Sequence, residues 1–242
     1  MRHLSSTRPS TRPLRPRNRL LAALAPAEFK RLYAQLEPVD LSLRDVVSPA
    51  AGLIAHVYFP EAGMVSLIQR MADGAVTEVG LIGREGFVGI PVLLGARMGM
   101  SEANVQMKGS ALRMTAKAFR QAIARNEGLR MRLLGFTHAL HGQVTQTAAC
   151  NNRHTIQKRL ARWLLMAHDC ADGDELVLSH EFLSIMLGTR RASVTTALGK
   201  LRSAGLVATG HGCITIRDRR GLEAAACECY GTVRKSYRTL LN

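Results

Sequence analysis

The sequence has few acidic residues and no long apolar segment. Its 242 residues include 18 Asp and Glu against 33 Lys and Arg, which gives a formal net charge of +15. Such an excess favours a polyanionic partner, nucleic acid before a membrane surface. The longest apolar runs fall well short of the roughly 20 residues that a membrane-spanning helix needs, so we expect no membrane insertion. A hydrophobic share of 47% excludes disorder throughout, and the length favours two domains.

Cysteine is absent before position 150. The five cysteines are an odd number without regular spacing, which is typical of a reducing compartment. The first 19 residues lack acidic side chains and the apolar stretch of a secretory signal. Three prolines in this segment would break the amphipathic helix of a transit peptide. We therefore expect a cytoplasmic protein in which residues 1–17 form a disordered basic tail.

The sequence motifs of common enzyme classes are also missing. We find no G-x-S-x-G elbow, no Walker loop, no H-E-x-x-H helix and no obvious pair of carboxylates. The sequence therefore predicts no catalytic residues and a protein that is not an enzyme.

Candidate metal ligands occur only as isolated pairs. The pairs are His138 with His141, Cys150 with His154, and Cys227 with Cys229. The first two spacings permit a shared metal, but each pair supplies only two ligands. Residues two apart on a helix point to different faces, so the third pair is expected to be a poor chelate. The sequence therefore predicts neither a metal nor a cofactor.

The first half of the chain changes from helical to β-type patterning. Apolar residues recur at helical spacing over residues 18–37, where Pro26 can open a second short helix. Short apolar runs separated by glycines then predict a small β-barrel or roll. The runs are 55–59, 63–68, 77–82, 87–90, 105–107 and 112–114.

A long helix is predicted after this β-rich part. Thr115 can cap a first helix through residue 124. An apolar stripe follows in steps of three and four residues, and we interpret it as the seam of a parallel homodimer. The seam residues are Leu129, Leu133, Phe136, Leu140, Val144 and Thr147. The alternative is that this stripe packs on the preceding β-rich domain. Asn151 and Asn152 are the expected hinge.

Residues 179–216 have the pattern of a helix-turn-helix followed by a wing. Ser179 can cap a helix over 180–187, Gly188 makes the turn, and Thr189 can cap a longer helix over 190–204. Two short apolar runs, 206–209 and 213–216, then predict a hairpin. Residues 190–220 hold seven basic side chains against one acidic one, as phosphate binding requires.

This stretch resembles the Crp/Fnr superfamily of bacterial transcription regulators, which are cAMP-receptor-protein-like. Residues 178–206, LSHEFLSIMLGTRRASVTTALGKLRSAGL, match the family's helix-turn-helix nearly position by position. HVYFPEAGMVSLI and EVGLIGREGFVG resemble its β-roll. The resemblance implies an α+β chain with an N-terminal cyclic-nucleotide-binding-like β-roll sensor domain (18–128), a dimerisation helix (129–150) and a C-terminal winged helix-turn-helix DNA-binding domain (151–242).

The resemblance implies a homodimeric, sequence-specific regulator that binds a palindromic site in double-stranded DNA, with RNA polymerase as a further partner. Arg191 stands where the family commonly contacts guanine O6 and N7. The expected base-reading residues are Arg190, Arg191, Ser193 and Thr196. The expected phosphate contacts are Ser179, Thr189, Lys200, Arg202, His211 and Arg217.

The family's ligand sites are poorly matched. Its cyclic-nucleotide pocket carries Glu after a glycine turn and Arg about ten residues later, where this chain has Ile90 and Ser101. We therefore expect no response to cAMP and only a weak candidate effector pocket, at Gly83, Gly89, Ile90, Arg97 and Ser101. No cysteine precedes the β-roll, so the family's iron–sulfur mechanism is not expected. Two alternatives remain: a small-molecule or cyclic-nucleotide sensor acting through protein contacts, and a nonspecific architectural DNA-binding protein.

Overall fold

The computed structural model describes residues 15–210 and 212–241. Most of the predicted tail (1–17) and His211 lie outside this range. Arg17, at the end of that tail, has a defined place in the fold, because its backbone N–H donates to Glu61 Oε2 at 2.8 Å and its guanidinium contacts Asp172. No helix in the described ranges is both long enough and apolar enough to cross a bilayer.

The first half of the chain is mainly a β-roll with short helices at its edges. Its elements are α1 (Arg19–Ala22), α2 (Pro26–Tyr33), β1 (Glu37–Leu41), β2 (Val46–Ser48), β3 (His56–Arg70), β4 (Val76–Ile82), α3 (Ile90–Leu93) and β5 (Glu102–Thr115). The strands are antiparallel in the order β1-β5-β3-β4, and β2 also pairs with β5. The predicted roll is therefore confirmed.

The strands differ in length from the sequence prediction. Runs 55–59 and 63–68 belong to the single strand β3, and runs 105–107 and 112–114 belong to β5. Gly63 has φ +84°, and the register between β3 and β5 shifts on both sides of it. This glycine therefore bends the strand and does not end it. The predicted strand over 87–90 is wrong, since Val88 makes a single bridge to Tyr58 and Ile90 begins α3.

Three helices follow the roll. They are α4 (Ala116–Arg125), α5 (Glu127–Arg153) and α6 (Ile156–Cys170). Thr115 caps α4 as predicted, because its Oγ1 accepts from the N–H of Ala118 at 3.1 Å. The expected hinge at Asn151 and Asn152 is wrong. Both residues lie inside α5, where Asn152 Nδ2 donates to the carbonyl of Ala148 at 2.9 Å, and the chain turns at His154.

The predicted dimer seam packs inside the chain. Four of its residues are at most 3% exposed and belong to the core of the roll: Leu129, Leu133, Phe136 and Leu140. Val144 lies against β4, since a methyl group added to Gly80 would be 3.4 Å from its Cγ2. The Thr147 hydroxyl accepts from Arg162 Nη2 of α6 at 2.8 Å. The seam assignment is wrong because periodicity identifies an apolar stripe but not what covers it.

The last third of the chain is a winged helix-turn-helix. Its elements are β6 (Glu175–Val177), α7 (His180–Met186), α8 (Arg191–Ser203), β7 (Val207–Gly210), β8 (Cys213–Ile216), α9 (Arg219–Ala225) and α10 (Cys229–Leu241). The helix pair and the hairpin β7–β8 confirm the prediction, and β6, which was not predicted, adds a third strand beside β8. The predicted cap at Thr189 is wrong, because Arg190 directly precedes α8 and makes no side-chain cap.

The winged helix-turn-helix is docked on the roll. Met64, Ile68 and Leu81 of the roll share a second hydrophobic core with α6, α7 and α8. Trp163 of α6 donates from Nε1 to Glu78 Oε1 of β4 at 2.7 Å. Arg84 of the roll pairs with Asp172 at 3.0 Å. These contacts set the orientation of α8 relative to the roll.

Candidate nucleic-acid interface

The helix-turn-helix has a small core of buried apolar side chains between α7 and α8. Ser179 caps α7, because its Oγ accepts from the N–H of Phe182 at 3.0 Å. Leu183 of α7 and Val194 and Leu198 of α8 are at most 1% exposed. In α8 the buried residues Val194, Leu198 and Leu201 are four and three positions apart, which fixes the side of the helix that faces the protein and leaves the opposite side to solvent.

The predicted base-reading residues lie at the N-terminus and in the first half of α8. Arg190, Arg191 and Thr196 are exposed, and Ser193 is half-buried. The ion pairs found in residues 15–210 and 212–241 include neither arginine. Thr196 Oγ1 donates to the carbonyl of Ala192 at 3.1 Å. Two arginine side chains are therefore available for an external partner, while the Thr196 hydroxyl proton is already used.

A cleft of about 400 Å³ opens beside Arg191. It lies between the N-terminus of α7, the start of α8 and the wing, and its walls include Ser179, Arg191 and Thr209. A helix N-terminus attracts anions, because its first N–H groups have no partner within the helix. The cleft therefore combines the guanidinium of Arg191 with the N-terminus of α7, and the carboxylate of Glu181 lines it as well.

Among the predicted phosphate contacts that the structure describes, Ser179 lines this cleft and the others lie elsewhere in the winged helix-turn-helix. Ser179, Lys200, Arg202 and Arg217 are exposed and Thr189 is half-buried, while His211 lies outside the described residues. Within the described part of the chain no ion pair is found for Lys200, Arg202 or Arg217. Neighbouring Arg219 differs, because it pairs with Asp169 at 2.6 Å.

One polar contact within the motif was missed by sequence reasoning. His180 Nδ1 lies 2.9 Å from Thr195 Oγ1 and joins the first turn of α7 to α8. The two residues are 15 positions apart and neither belongs to an apolar stripe. Only the crossing of the two helices brings them together, so no local sequence signal identifies the pair.

The residues of the weak candidate effector pocket have different surroundings in the structure. Gly83 packs on Cys170, since an added methyl group would lie 2.5 Å from its Sγ, and Gly89 packs on Val57 in the same way at 2.7 Å. Arg97 is exposed. Four of the cavities in the described ranges have none of the five residues in their walls. Two of the glycines serve close packing, and the effector pocket stays a prediction.

A buried carboxyl group lies between the roll and the helix-turn-helix. Glu78 is 8% exposed, and burial raises its pKa to about 7, although hydrogen bonds from Ser66 and Trp163 act in the opposite direction. Since Trp163 belongs to α6, the protonation of Glu78 affects the contact that docks the winged helix-turn-helix on the roll. The sequence did not indicate that Glu78 is buried, because nothing near it in the sequence distinguishes it from an exposed glutamate in a strand.

Two of the candidate metal-ligand pairs meet in the structure. The ligand atoms of Cys150, His154, Cys227 and Cys229 all lie within 4.8 Å of one another. The expectation that Cys227 and Cys229 occupy opposite faces of one helix is wrong, because Cys227 precedes α10 and Cys229 is its first residue. Burial raises the pKa of Cys150 and raises that of Cys227 to about 12. The prediction of separate pairs is thus corrected for these four residues.

Comparison with known proteins agrees with this geometry. Residues 158–225 match the model of the Crp-like helix-turn-helix domain. No curated protein sequence matches the chain. Its fold is similar to that of FixK2 from Bradyrhizobium japonicum (17% identity, 79% of this chain and 98% of that chain, TM-score 0.68). It is also similar to CLP, the c-di-GMP responsive global regulator of Xanthomonas campestris (17% identity, 80% and 100%, TM-score 0.63).

A third similar structure is a CRP-family transcriptional regulator from Thermus thermophilus (21% identity, 77% of this chain and 95% of that chain, TM-score 0.58). At these identities the structures establish the fold, while the family model independently establishes the helix-turn-helix domain. The predicted Crp-like helix-turn-helix is therefore confirmed, and the fold of the chain is similar to that of these Crp/Fnr-type structures.

Proposed function

We propose that this protein is a homodimeric regulator of transcription that recognises a palindromic DNA site through two copies of α8. The observation that carries the proposal is that Arg190 and Arg191, at the start of a helix that matches the Crp-like motif, are exposed and have no ion pair with any residue that the structure describes. A helix of this kind fits the major groove, with residues near its N-terminus against the base edges.

Specific contacts follow from the chemistry of the exposed side chains. Arg191 presents the guanidinium fork that pairs with O6 and N7 of guanine. Because the Thr196 hydroxyl donates to Ala192, its methyl group is the part suited to a thymine methyl. Lys200, Arg202 and Arg217, together with Ser179 and Thr189, hold the phosphates on either side and contribute the salt-dependent part of the affinity.

The dimer contact belongs to the outward face of α5. Opposite the buried stripe, seven positions repeat in steps of three and four residues, which is the spacing of a coiled-coil seam. They are Met131, Leu134, His138, His141, Thr145, Ala148 and Asn152. Leu134 is half-buried and the other six are exposed.

The composition of this face supports a second copy of the chain as its partner. Residues 133–152 contain no Asp, Glu, Lys or Arg, although charged residues make up 21% of the sequence. An exposed helix face usually carries charge, and its lack is characteristic of a surface covered by another helix. Two α5 helices packed in parallel would place the two α8 helices on the same side of the dimer.

The regulator is proposed not to respond to cAMP. Ile90 stands where the family has the carboxylate for the ribose, and Ser101 stands where it has the arginine for the cyclic phosphate. An apolar side chain and a neutral hydroxyl give the cyclic phosphodiester no cationic partner. The effector, if the roll takes one, belongs to another chemical class.

Selection of bound sequences from a random DNA pool tests the proposal. The full chain is used at two salt concentrations with and without cAMP. We expect an enriched palindrome whose half-sites are about one helical turn apart, and no change with cAMP. Salt-sensitive binding without enrichment would instead support a nonspecific architectural protein, and absence of DNA binding would support a sensor that acts through protein contacts.

A further inference from the structure

Three thiols and one imidazole from distant parts of the sequence meet at the junction of α5, α6 and α10. Cys150 Sγ lies 3.5 Å from Cys227 Sγ, and Cys229 Sγ lies 3.5 Å from His154 Nδ1. A disulfide would place its sulfur atoms about 2.05 Å apart. Four ligands around zinc at about 2.3 Å for sulfur and about 2.0 Å for nitrogen are separated by roughly 3.5 to 3.8 Å in a tetrahedron.

We propose that Cys150, His154, Cys227 and Cys229 bind a structural zinc ion. Thiolate and imidazole ligands select zinc over harder cations such as Mg²⁺ or Ca²⁺. The three cysteines are at most 5% exposed. Four protein ligands complete a tetrahedral site with no position left for substrate, which is the arrangement of structural zinc. This inference does not depend on the proposed DNA site.

Neighbouring side chains orient two of the ligands. Nε2 of His154 lies 3.2 Å from Glu228 Oε1, so a proton on Nε2 is held by the carboxylate and the lone pair of Nδ1 is directed toward the thiols. Gln146 Nε2 donates to Cys229 Sγ at 3.0 Å. A carboxylate behind a histidine ligand and an N–H donor to a thiolate are the usual supports of a zinc site.

Positive charge is buried beside the cluster. Arg162 is 5% exposed and Arg159 is 9% exposed, and both interact electrostatically with Cys150. The Nε atoms of both have no hydrogen-bond partner in the described part of the chain. Three thiolates and one Zn²⁺ carry a net charge of −1. Two buried guanidinium groups are costly without a counter-charge, and this anionic centre supplies one.

The site joins three segments of the chain that are distant in sequence. Cys150 is in the last turn of α5, His154 is at the turn into α6, and the other two cysteines begin α10. A bound ion would fix the angle between the long helix and the winged helix-turn-helix. Its loss would remove one of the contacts between the start of α10 and the end of α5, while Tyr237 of α10 still packs on Phe136 and accepts from Gln143 Nε2.

Metal analysis of the full chain is the direct test. The protein is expressed with zinc in the medium, and its metal content is measured by mass spectrometry. We expect about one zinc per chain. Cys227→Ser and Cys229→Ser are expected to lose it, while Cys170→Ser and Cys213→Ser, outside the cluster, are expected to retain it. Zinc that remains in Cys229→Ser, or an unmodified chain without zinc, would overturn the proposal.

A second measurement stays informative if the serine variants unfold. The unmodified chain is stripped with a chelator and titrated with Co²⁺ alone. A tetrahedral site with three thiolates gives intense visible d–d absorption and sulfur-to-cobalt charge transfer in the near ultraviolet. A weak octahedral spectrum, a Cys150–Cys227 disulfide in the reduced preparation, or bound iron with acid-labile sulfide would each contradict a zinc site.

Discussion

At the scale of single residues, Arg191 has no ion pair among the described residues that would compete with the proposed binding of DNA. It is exposed in the first turn of α8, borders the cleft beside α7, and belongs to none of the ion pairs found in the described residues. Its removal should therefore change binding and leave the stability of the fold nearly unchanged.

We predict that Arg191→Ala weakens binding to the selected site by about 1–3 kcal/mol and weakens binding to unrelated DNA much less. Arg217→Ala is the matched control, because Arg217 is also exposed but lies beyond the wing. It should weaken binding to both DNA molecules equally and reduce the salt dependence. Fluorescence anisotropy with the two duplexes measures both effects. Equal losses for Arg191→Ala on both duplexes would make this residue a phosphate contact.

Glu78 gives the fold a dependence on pH. Its pKa is raised from 4.5 to about 7 mainly by burial. Between these values the folded chain holds a proton that the unfolded chain has released. The stabilisation is therefore complete below about pH 4.5 and is lost as the pH rises through about 7.

We predict that the free energy of unfolding falls between about pH 5 and about pH 8 by an amount on the order of 3 kcal/mol from this residue. Glu78→Gln should remove that part of the slope, because the amide stays neutral. Glu181→Gln, at an exposed position of α7, serves as the control. Urea denaturation at several pH values provides the measurement. An unchanged slope in Glu78→Gln would contradict the assignment.

At the scale of secondary-structure elements, the sequence predicted best what depends on near neighbours. The caps at Thr115 and Ser179, the turn at Gly188 and the wing hairpin all follow from residues within a few positions of one another. The two bent strands were predicted as four runs, because Gly63 is compatible with either a turn or a bulge and only the pairing with β5 decides between them.

The long helix was predicted correctly as an element, but the partner of its apolar stripe was not. The stripe through Leu133 and Phe136 is more apolar and was assigned to the dimer, whereas it packs on the roll. The cluster of metal-ligand side chains was not predicted from the sequence, for a related reason. Cys150 and Cys227 are 77 positions apart, so the sequence gives two pairs and only the fold unites them.

Ala148→Glu tests the outward face of α5. In the proposed dimer, a carboxylate at this position of the outward face would be repelled by the same carboxylate of the partner helix. We therefore predict that the dimer dissociates. Ala224→Glu makes the same change at an exposed position of α9 and should leave the dimer intact. Sedimentation velocity at micromolar concentration distinguishes them. A dimer that survives Ala148→Glu with unchanged affinity would exclude this face.

The packing of α5 on the roll is tested by Gly86→Ala. A methyl group at this position would lie 2.1 Å from Phe136 Cζ, so we predict a loss of about 1–3 kcal/mol in stability through overpacking. Gly199→Ala is the matched change in α8, where nothing lies within 4 Å. It should leave stability unchanged or raise it by up to about 1 kcal/mol, because alanine favours the helix. Thermal unfolding measures the stability of both variants. An equal stability of Gly86→Ala and Gly199→Ala would contradict the packing of Gly86 on Phe136.

At the scale of the whole molecule, the roll and the winged helix-turn-helix are held together at several points. The Trp163–Glu78 hydrogen bond, the Arg84–Asp172 ion pair and the shared core around Leu81 connect them directly. The cysteine and histidine cluster connects the end of α5 to α10 on another side. A signal at either place would therefore reach α8 by changing how the DNA-binding part is seated on the roll.

The most direct test of the account is the number of chains bound per DNA site. Sedimentation with labelled duplexes that carry either the full selected palindrome or one half-site provides that number. Two chains on the palindrome, and markedly weaker binding to the half-site, are the predicted result. Saturation of the palindrome by one chain, or equal affinity for the two duplexes, would contradict a homodimer that reads DNA with two α8 helices.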